Sequence, residues 1–207
     1  DELPEFKRSV LEVLRQPLED RKISISRAKF TIDYPASFML VSAMNPCPCG
    51  YYNHPEKECV CSPGSIQKYL NRISGPLLDR IDMHIEIIPV PFEKLSTMSS
   101  AEKSASIRER VIRTRKIQEE RFSGIKDVHC NAQMSSSLLR KYTVLNSDCN
   151  KLLKIAMEKL HLSARAYDKI LKVARTIADM AESEEIKTEH LAEAINYRSL
   201  DREGWIN

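Results

Sequence analysis

Ser37-Phe38-Met39-Leu40-Val41-Ser42-Ala43-Met44-Asn45-Pro46-Cys47-Pro48-Cys49-Gly50 changes character halfway along. Residues 37–44 form an apolar run of the length expected for a strand buried on both faces. The run stops at Asn45-Pro46, and cysteines begin. In an open α/β sheet, the C-terminal end of a strand faces the ligand crevice. A neutral amide such as Asn45 at that end can orient a water between an acidic pair and a terminal phosphate. Asn-Pro is also an ordinary turn starter.

Upstream, Lys22 to Tyr34 alternates: Ile23 and Ile25 with polar residues, then Phe30, Ile32 and Tyr34. This predicts a β-hairpin with Arg27 and Lys29 near its tip, closed by Pro35. Glu5 to Leu18 has apolar residues near helical spacing, with Pro4 at the start and Pro17 near the end, and predicts one helix. Ahead of it stands Asp1-Glu2. At the end of a buried strand, such a pair holds Mg²⁺ through water with its first carboxylate and polarises the attacking water with its second. An acidic exposed terminus is the other reading.

Downstream, Cys47-Pro48-Cys49 and Cys59-Val60-Cys61 make a C-x-C…C-x-C arrangement across a Pro- and Gly-containing loop. If the pairs converge, four thiolates suit tetrahedral Zn²⁺, and a closed site of that kind is structural. His54 in the loop is a spare ligand. Four reduced thiols or two disulfides are the alternatives. Cys130 and Cys149 lie far off and read as ordinary thiols. Ser65–Ile73 reads as a helix and His84–Ile88 as a short strand. In Gly75-Pro76-Leu77-Leu78-Asp79-Arg80 the arginine precedes that strand. It can reach a neighbouring subunit's site, or pair with Asp79 or Asp82.

Between Pro89 and Ser100 the composition shifts to Pro, Ser and Thr, which marks a domain boundary. Beyond it the pattern is helical over 99–122, 135–142, 148–160, 163–182 and 188–197. Ser147 is the expected cap of the third helix, and Thr188 and Glu189 open the last. Arg165, in Leu162-Ser163-Ala164-Arg165, sits in a first turn, where it can touch phosphate or simply face solvent. The basic helix at 99–122 could contact DNA through its Arg row, but charge on one helix face usually reads as a solvated face; Trp205 reads as a packing anchor.

The 207 residues carry a net charge of +3 and 42% hydrophobic side chains. That charge is too small to imply nucleic-acid binding without local basic patches. No apolar run is long enough to span a membrane, so the default location is cytoplasmic, where cysteines stay reduced. No G-x-x-x-x-G-K-[ST] loop occurs. The chain alone is therefore expected to bind nucleotide weakly or not at all.

Taken together, Asp1-Glu2-Leu3-Pro4-Glu5-Phe6, the stretch Ser42 to Gly50, Ser74-Gly75 to Asp82, and Leu162 to Met180 resemble the magnesium-chelatase-like ATPases of the ComM/YifB type, within the AAA+ class. The resemblance covers essentially the whole chain. It implies an α/β AAA+ nucleotide-domain remnant followed by an all-α helical lid. The remnant would be residues 1–92, with an incomplete sheet, a β-hairpin insert and a Cys-rich insert at 46–63; the lid would be 93–207. It also implies that Asp1 and Glu2 are the Walker B pair, Asn45 sensor 1, Arg80 the arginine finger and Arg165 the sensor 2 arginine. Arg27 and Lys29 become candidates for DNA backbone contacts, and Cys47, Cys49, Cys59 and Cys61 for zinc.

The intact protein would use ATP and Mg²⁺ as a hexameric ring and remodel DNA by branch migration or helicase-like action in transformation and recombination. Alternatives are the ATPase subunit of a metal chelatase and a zinc-stapled DNA-binding module without turnover. The family's P-loop lies upstream of the Walker B strand and is missing, so the chain reads as a C-terminal fragment. In the family's 5-1-4-3-2 sheet, 37–44 and 84–88 would be strands four and five, which are not neighbours. Strand four should therefore be left with unpaired edges.

Overall fold

Strand formation needs a partner, and the hairpin is where the chain supplies its own. The structure is a computed structural model and describes residues 1–27, 29–87, 89–90, 102–198 and 200. Most of the expected boundary segment, Ile88 and Trp205 lie outside the described residues. The chain divides into two compact units, one over residues 1–81 and one beginning at Asp82.

In the first unit, β1 (Lys22–Arg27) and β2 (Phe30–Pro35) pair antiparallel, with Ile25 opposite Ile32 and Arg27 opposite Phe30. This is the expected hairpin. Alternation separates its two faces. One carries Ser24, Ser26, Thr31 and Asp33, joined by Ser24 Oγ to Asp33 at 2.6 Å and Ser26 to Thr31 at 3.0 Å. Lys22 Nζ adds a bond to Asp33 at 2.7 Å. That contact, with help from Ser24, holds the Asp33 carboxyl below its ordinary range and raises the Lys22 ammonium. The other face carries Ile23, Ile25, Phe30, Ile32 and Tyr34, all exposed.

The expected single helix over 5–18 is two. A 3-10 turn at Leu3–Glu5 leads to α1 (Arg8–Val13), and α2 (Arg15–Asp20) follows at once. Pro17 causes the break. It has no N–H for the Val13 carbonyl, so it cannot sit inside a continuous helix but fits the first turn of a new one. Arg21, in left-handed conformation, ends α2 with its N–H on the Pro17 carbonyl at 3.0 Å.

The expected buried strand at 37–44 and the expected short strand at 84–88 are both corrected. Residues 36–45 have no regular structure, and Phe38, Met39 and Val41 are 49%, 86% and 80% exposed. An apolar run becomes a buried strand only where sheet neighbours cover it, and the two-stranded sheet of the hairpin offers none. One rung survives as a hydrogen bond from the Leu3 N–H to the Ala43 carbonyl at 3.0 Å. Over the described residues 84–87, His84 makes a single parallel bridge to Arg198, while Ile85 and Ile87 are exposed.

Two more helices complete the first unit: α3 (Pro63–Leu70), capped by Ser62, and α4 (Gly75–Leu78), capped by Ser74. Each cap oxygen accepts the N–H three residues on, and each helix has Pro in its first turn. Leu11, Ile73, Leu77 and Leu78 are buried. Glu12 of α1 is held below its ordinary pKa by the Ser74 side chain and by Arg15, whose Nη1 lies 2.7 Å away.

The second unit is helical as expected, with α5 (Ser104–Arg121), α6 (Ser136–Tyr142), α7 (Ser147–Lys159), α8 (Ala164–Met180) and α9 (Thr188–Asn196). Two caps sit one residue earlier than expected. Asn146, not Ser147, accepts the Cys149 N–H at 2.9 Å. Thr188 is already helical, and His190 Nδ1 accepts the Lys187 N–H at 3.2 Å. The core runs along α8 through Ala166, Ile170, Ala174 and Ala178, and takes in Phe122, Leu153, Cys149 and Leu191.

Charge is buried within this unit. Asp179 is fully buried and accepts from Arg175 Nε at 3.0 Å, Asn131 Nδ2 at 2.7 Å and Arg121 Nη1 at 2.6 Å, and also pairs with Arg121 Nη2. Asn131 also donates to Thr176 at 3.0 Å, and its own N–H is held by Gln118 Oε1 at 3.0 Å. Burial lowers the Arg175 pKa, against the pull of Asp179. The solvated-face reading of the basic helix therefore fails at Arg121. Arg110 and Arg113 are paired as well, with Glu102 at 2.7 Å and Glu182 at 3.2 Å.

Candidate metal centre

The two cysteine pairs are placed differently. Cys47 and Cys49 sit in a turn at the end of the 36–45 segment, closed by the Gly50 N–H on the Cys47 carbonyl at 3.0 Å, and Cys59 and Cys61 lie in an irregular stretch just before α3. The two arms converge. Sγ separations are 3.4 Å for Cys47–Cys49, 3.7 Å for Cys47–Cys59 and 3.6 Å for Cys49–Cys59. All four ligand atoms lie within 4.8 Å of one another. Thiolates around tetrahedral Zn²⁺, at Zn–S of about 2.3 Å, stand about 3.8 Å apart. The four cysteines fit such an ion.

The turn has two devices of its own. Gly50, at φ +82°, supplies the left-handed residue that reverses the chain after Cys49. The Tyr52 N–H points at Cys47 Sγ at 3.3 Å, as amides do around thiolate clusters. His54 is not a ligand here. Its Nδ1 accepts from the Glu56 and Lys57 N–H groups at 3.0 and 3.1 Å and so organises the loop tip. The Tyr51 ring meets His54 edge-on and lies under the Lys57 ammonium.

Titration within the cluster is split. The Tyr51 backbone N–H pulls the Cys49 thiol down to about 6, helped by Cys47 and Cys61 and opposed by desolvation. The Cys61 backbone pulls Cys59 the same way, but desolvation and the neighbours Cys49 and Cys47 outweigh it and push Cys59 up to about 12. Cys61 is raised for the same reasons. One thiol ionises easily and its neighbours then resist, which is how a metal-free thiolate cluster behaves.

Cys47 is fully buried against Ile66, Tyr69 and Leu70 of α3, with Met44 and the other three cysteines packed alongside. Tyr69 extends from this small core towards the acidic residues. Burial first, and the Glu5 carboxylate second, keep its phenol above the usual range, with Glu2 and Cys47 adding to the rise and the Asn45 backbone opposing it. Two residues past the end of α3, Arg72 Nη1 reaches the Pro4 carbonyl and Glu5 Oε2, each at 3.0 Å. Neither residue stood out in the sequence. A tyrosine and an arginine around a helix end carry no signal until their partners are known.

The other candidate residues fall as follows. Asp1 and Glu2 are exposed, Asp1 Oδ1 accepts the Glu2 N–H at 2.9 Å, and Glu2 has φ 52°. The Leu3–Ala43 rung brings their segment beside that of Asn45. Arg80 follows α4 and pairs with Glu19 of α2, not with Asp79 or Asp82, while its Nη1 donates to the Pro76 carbonyl at 2.7 Å. Asp82 instead binds Lys169 at 2.6 Å. Arg165 is exposed in the first turn of α8, after the Ser163 cap. Arg27 ends β1 and Lys29 lies in the turn, both exposed. Cys149 is buried, its thiol on the Ile186 carbonyl at 3.4 Å and its pKa raised by burial.

Among the described residues, no helix is long and apolar enough to cross a membrane. Two family descriptions match the chain: magnesium chelatase, subunit ChlI, over residues 1–95, and the C-terminal part of the same subunit over 101–198. Over 203 residues, 98% of the chain, it is 47% identical to competence protein ComM of Haemophilus influenzae. It is 43% identical to the uncharacterized protein YifB of Escherichia coli and 42% to that of Salmonella typhimurium over the same span. The chain spans 38 to 39% of the length of these relatives. With both halves matched and this identity along nearly its whole length, the chain belongs to the magnesium-chelatase-like AAA+ family of the ComM/YifB type.

Proposed function

We propose that this chain is part of an ATP-hydrolysing ring motor that acts on DNA. Residues 1–92 are its share of the nucleotide domain, with the cysteine insert at 46–63, and residues 93–207 are the helical lid. The observation that carries this reading is the Leu3–Ala43 hydrogen bond. It joins the segment of the Asp1-Glu2 pair to the segment ending in Asn45, as two adjacent strands of a nucleotide-binding sheet would be joined.

When bound, ATP with Mg²⁺ supplies the phosphoryl group whose transfer powers the motor. Asp1 would hold the ion, Glu2 would orient the attacking water, and Asn45 would align that water towards the terminal phosphate. Arg80 leaves Glu19 to reach the adjoining subunit's phosphates, which makes the Glu19 pair a resting position. Arg165 meets phosphate from the lid. Cys47, Cys49, Cys59 and Cys61 hold a structural Zn²⁺, which fits a reducing compartment such as the cytoplasm. Arg27 and Lys29 contact the DNA backbone from the hairpin tip.

A second reading, the ATPase subunit of a metal chelatase, draws on the description of the matching family. A third is a zinc-stapled DNA-binding module. One experiment separates the three. In the chain extended to its relatives' full length, ATP turnover is measured with and without branched DNA, beside Arg80→Ala. Stimulation by DNA, lost in the variant, is expected. DNA binding without turnover would favour the module, and turnover indifferent to DNA would favour the chelatase.

A further inference from the structure

We propose that α3 is a brace through which the four-cysteine centre sets the position of the segment following Asp1-Glu2 and, through it, of the segment ending in Asn45, with Arg72 as the positioning residue. The functional weight of this brace rests on the ATPase reading above; its mechanics do not.

The geometry is a closed circuit within the first unit. The helix is tied to the centre twice. Its cap, Ser62, directly follows Cys61, and Cys47 is buried against its Ile66, Tyr69 and Leu70. Arg72 lies two residues beyond the end of α3, with its N–H on the Tyr69 carbonyl at 3.3 Å. It grips the Pro4 carbonyl and the Glu5 carboxylate, both at 3.0 Å. The circuit closes through the Leu3 N–H on the Ala43 carbonyl, two residues before Asn45. Drawing the four thiols together fixes where α3 begins and how Cys47 seats against it. Arg72 passes that placement to Pro4 and Glu5, and the Leu3–Ala43 bond passes it on to the segment ending in Asn45.

Arg72 is half exposed, but its planar head meets a carbonyl and a carboxylate together, which restricts it more than a single ion pair would.

The test uses the 207-residue chain, Zn²⁺ alone as ligand, and residue-resolved amide hydrogen exchange. One equivalent of Zn²⁺ should slow exchange at Leu3 by about tenfold or more. Arg72→Gln and Glu5→Ala should still take one equivalent of Co²⁺ with an unchanged thiolate charge-transfer band. The zinc-dependent protection of Leu3 should nonetheless fall, by about fivefold in the first variant and about twofold in the second. Gln67→Ala, which removes only the exposed bond to Asn71, should leave Leu3 as in the wild type.

Protection confined to residues 47–61 on zinc loading would overturn the proposal. So would wild-type protection in both variants, or equal losses in Gln67→Ala. If one of the two variants fails to bind metal, the other decides. No nucleotide enters this experiment, so its failure leaves the ATPase reading standing, and an inactive ATPase leaves the brace standing.

Discussion

The two units solve the same problem with different means. The second closes a core of helices, each satisfying its own backbone hydrogen bonds, and buries charge in the Arg175–Asp179–Arg121 network. The first has short helices, an exposed hairpin and a bare apolar segment, and is gathered around four cysteines and one small helix. A helix needs neighbours only for its side chains, whereas a strand needs them for its backbone too. A chain whose strands lack partners therefore keeps its helical half regular and leaves its sheet half dependent on cross-links.

If that contrast is right, metal should matter to one unit alone, and this is the largest effect expected. Stripping Zn²⁺ with a chelator should abolish exchange protection in α3 and around Cys47. It should leave α8 and α9 protected as before. Metal binding of this kind supplies on the order of 10 kcal/mol to small domains. Equal loss in both units would break the comparison.

Next in size is Asp179→Ala. It strands two arginines in a buried setting and should cost about 3–5 kcal/mol, read from the urea midpoint of the helical unit. The isosteric Asp179→Asn should recover part of this. A cost below about 1 kcal/mol would mean that the network is wetter than its burial implies.

The pH dependence of metal uptake sharpens the view of the first unit. With Cys49 drawn down to about 6, it is already a thiolate near neutrality and gives up no proton on metal binding; Cys59 and Cys61, both raised, must lose theirs. As pH falls through about 6, Cys49 is protonated. The protons released per Zn²⁺ should then rise by about one, and affinity should fall more steeply below that pH. Titration in weakly buffered solution with a pH indicator measures this. A count that stays constant through this range would contradict the split.

The smallest effect tests the self-sufficiency of the helices. Ser163→Ala removes the oxygen that accepts the Ala166 N–H at 3.1 Å and should lower the stability of the helical unit by about 1 kcal/mol, with no effect on zinc uptake. A thermal melt followed beside a Co²⁺ titration checks both halves of that statement.

The hairpin was readable because Ile23, Ile25, Ile32 and Tyr34 alternate and the turn is short. α8 was readable because its apolar stripe follows a serine cap. The four cysteines were readable as a candidate set from spacing alone. Residues 37–44 were misread for a physical reason: an apolar run reports the burial a segment would need, not whether neighbours are present to provide it. Arg121 was misread because charge on a helix is ordinarily solvated, and its partner Asp179 lies 58 residues away.

Local interactions determined the helices, their caps, the hairpin and the cysteine pairs, since each involves residues within a few positions of one another. Convergence of the two cysteine arms, the reach of Arg72 to Pro4 and Glu5, and the pairing of Asp179 with Arg121 were decided only in three dimensions. Each brings together groups between 10 and 68 residues apart. No periodicity encodes such distances; they follow from the packing that closes the loops between them.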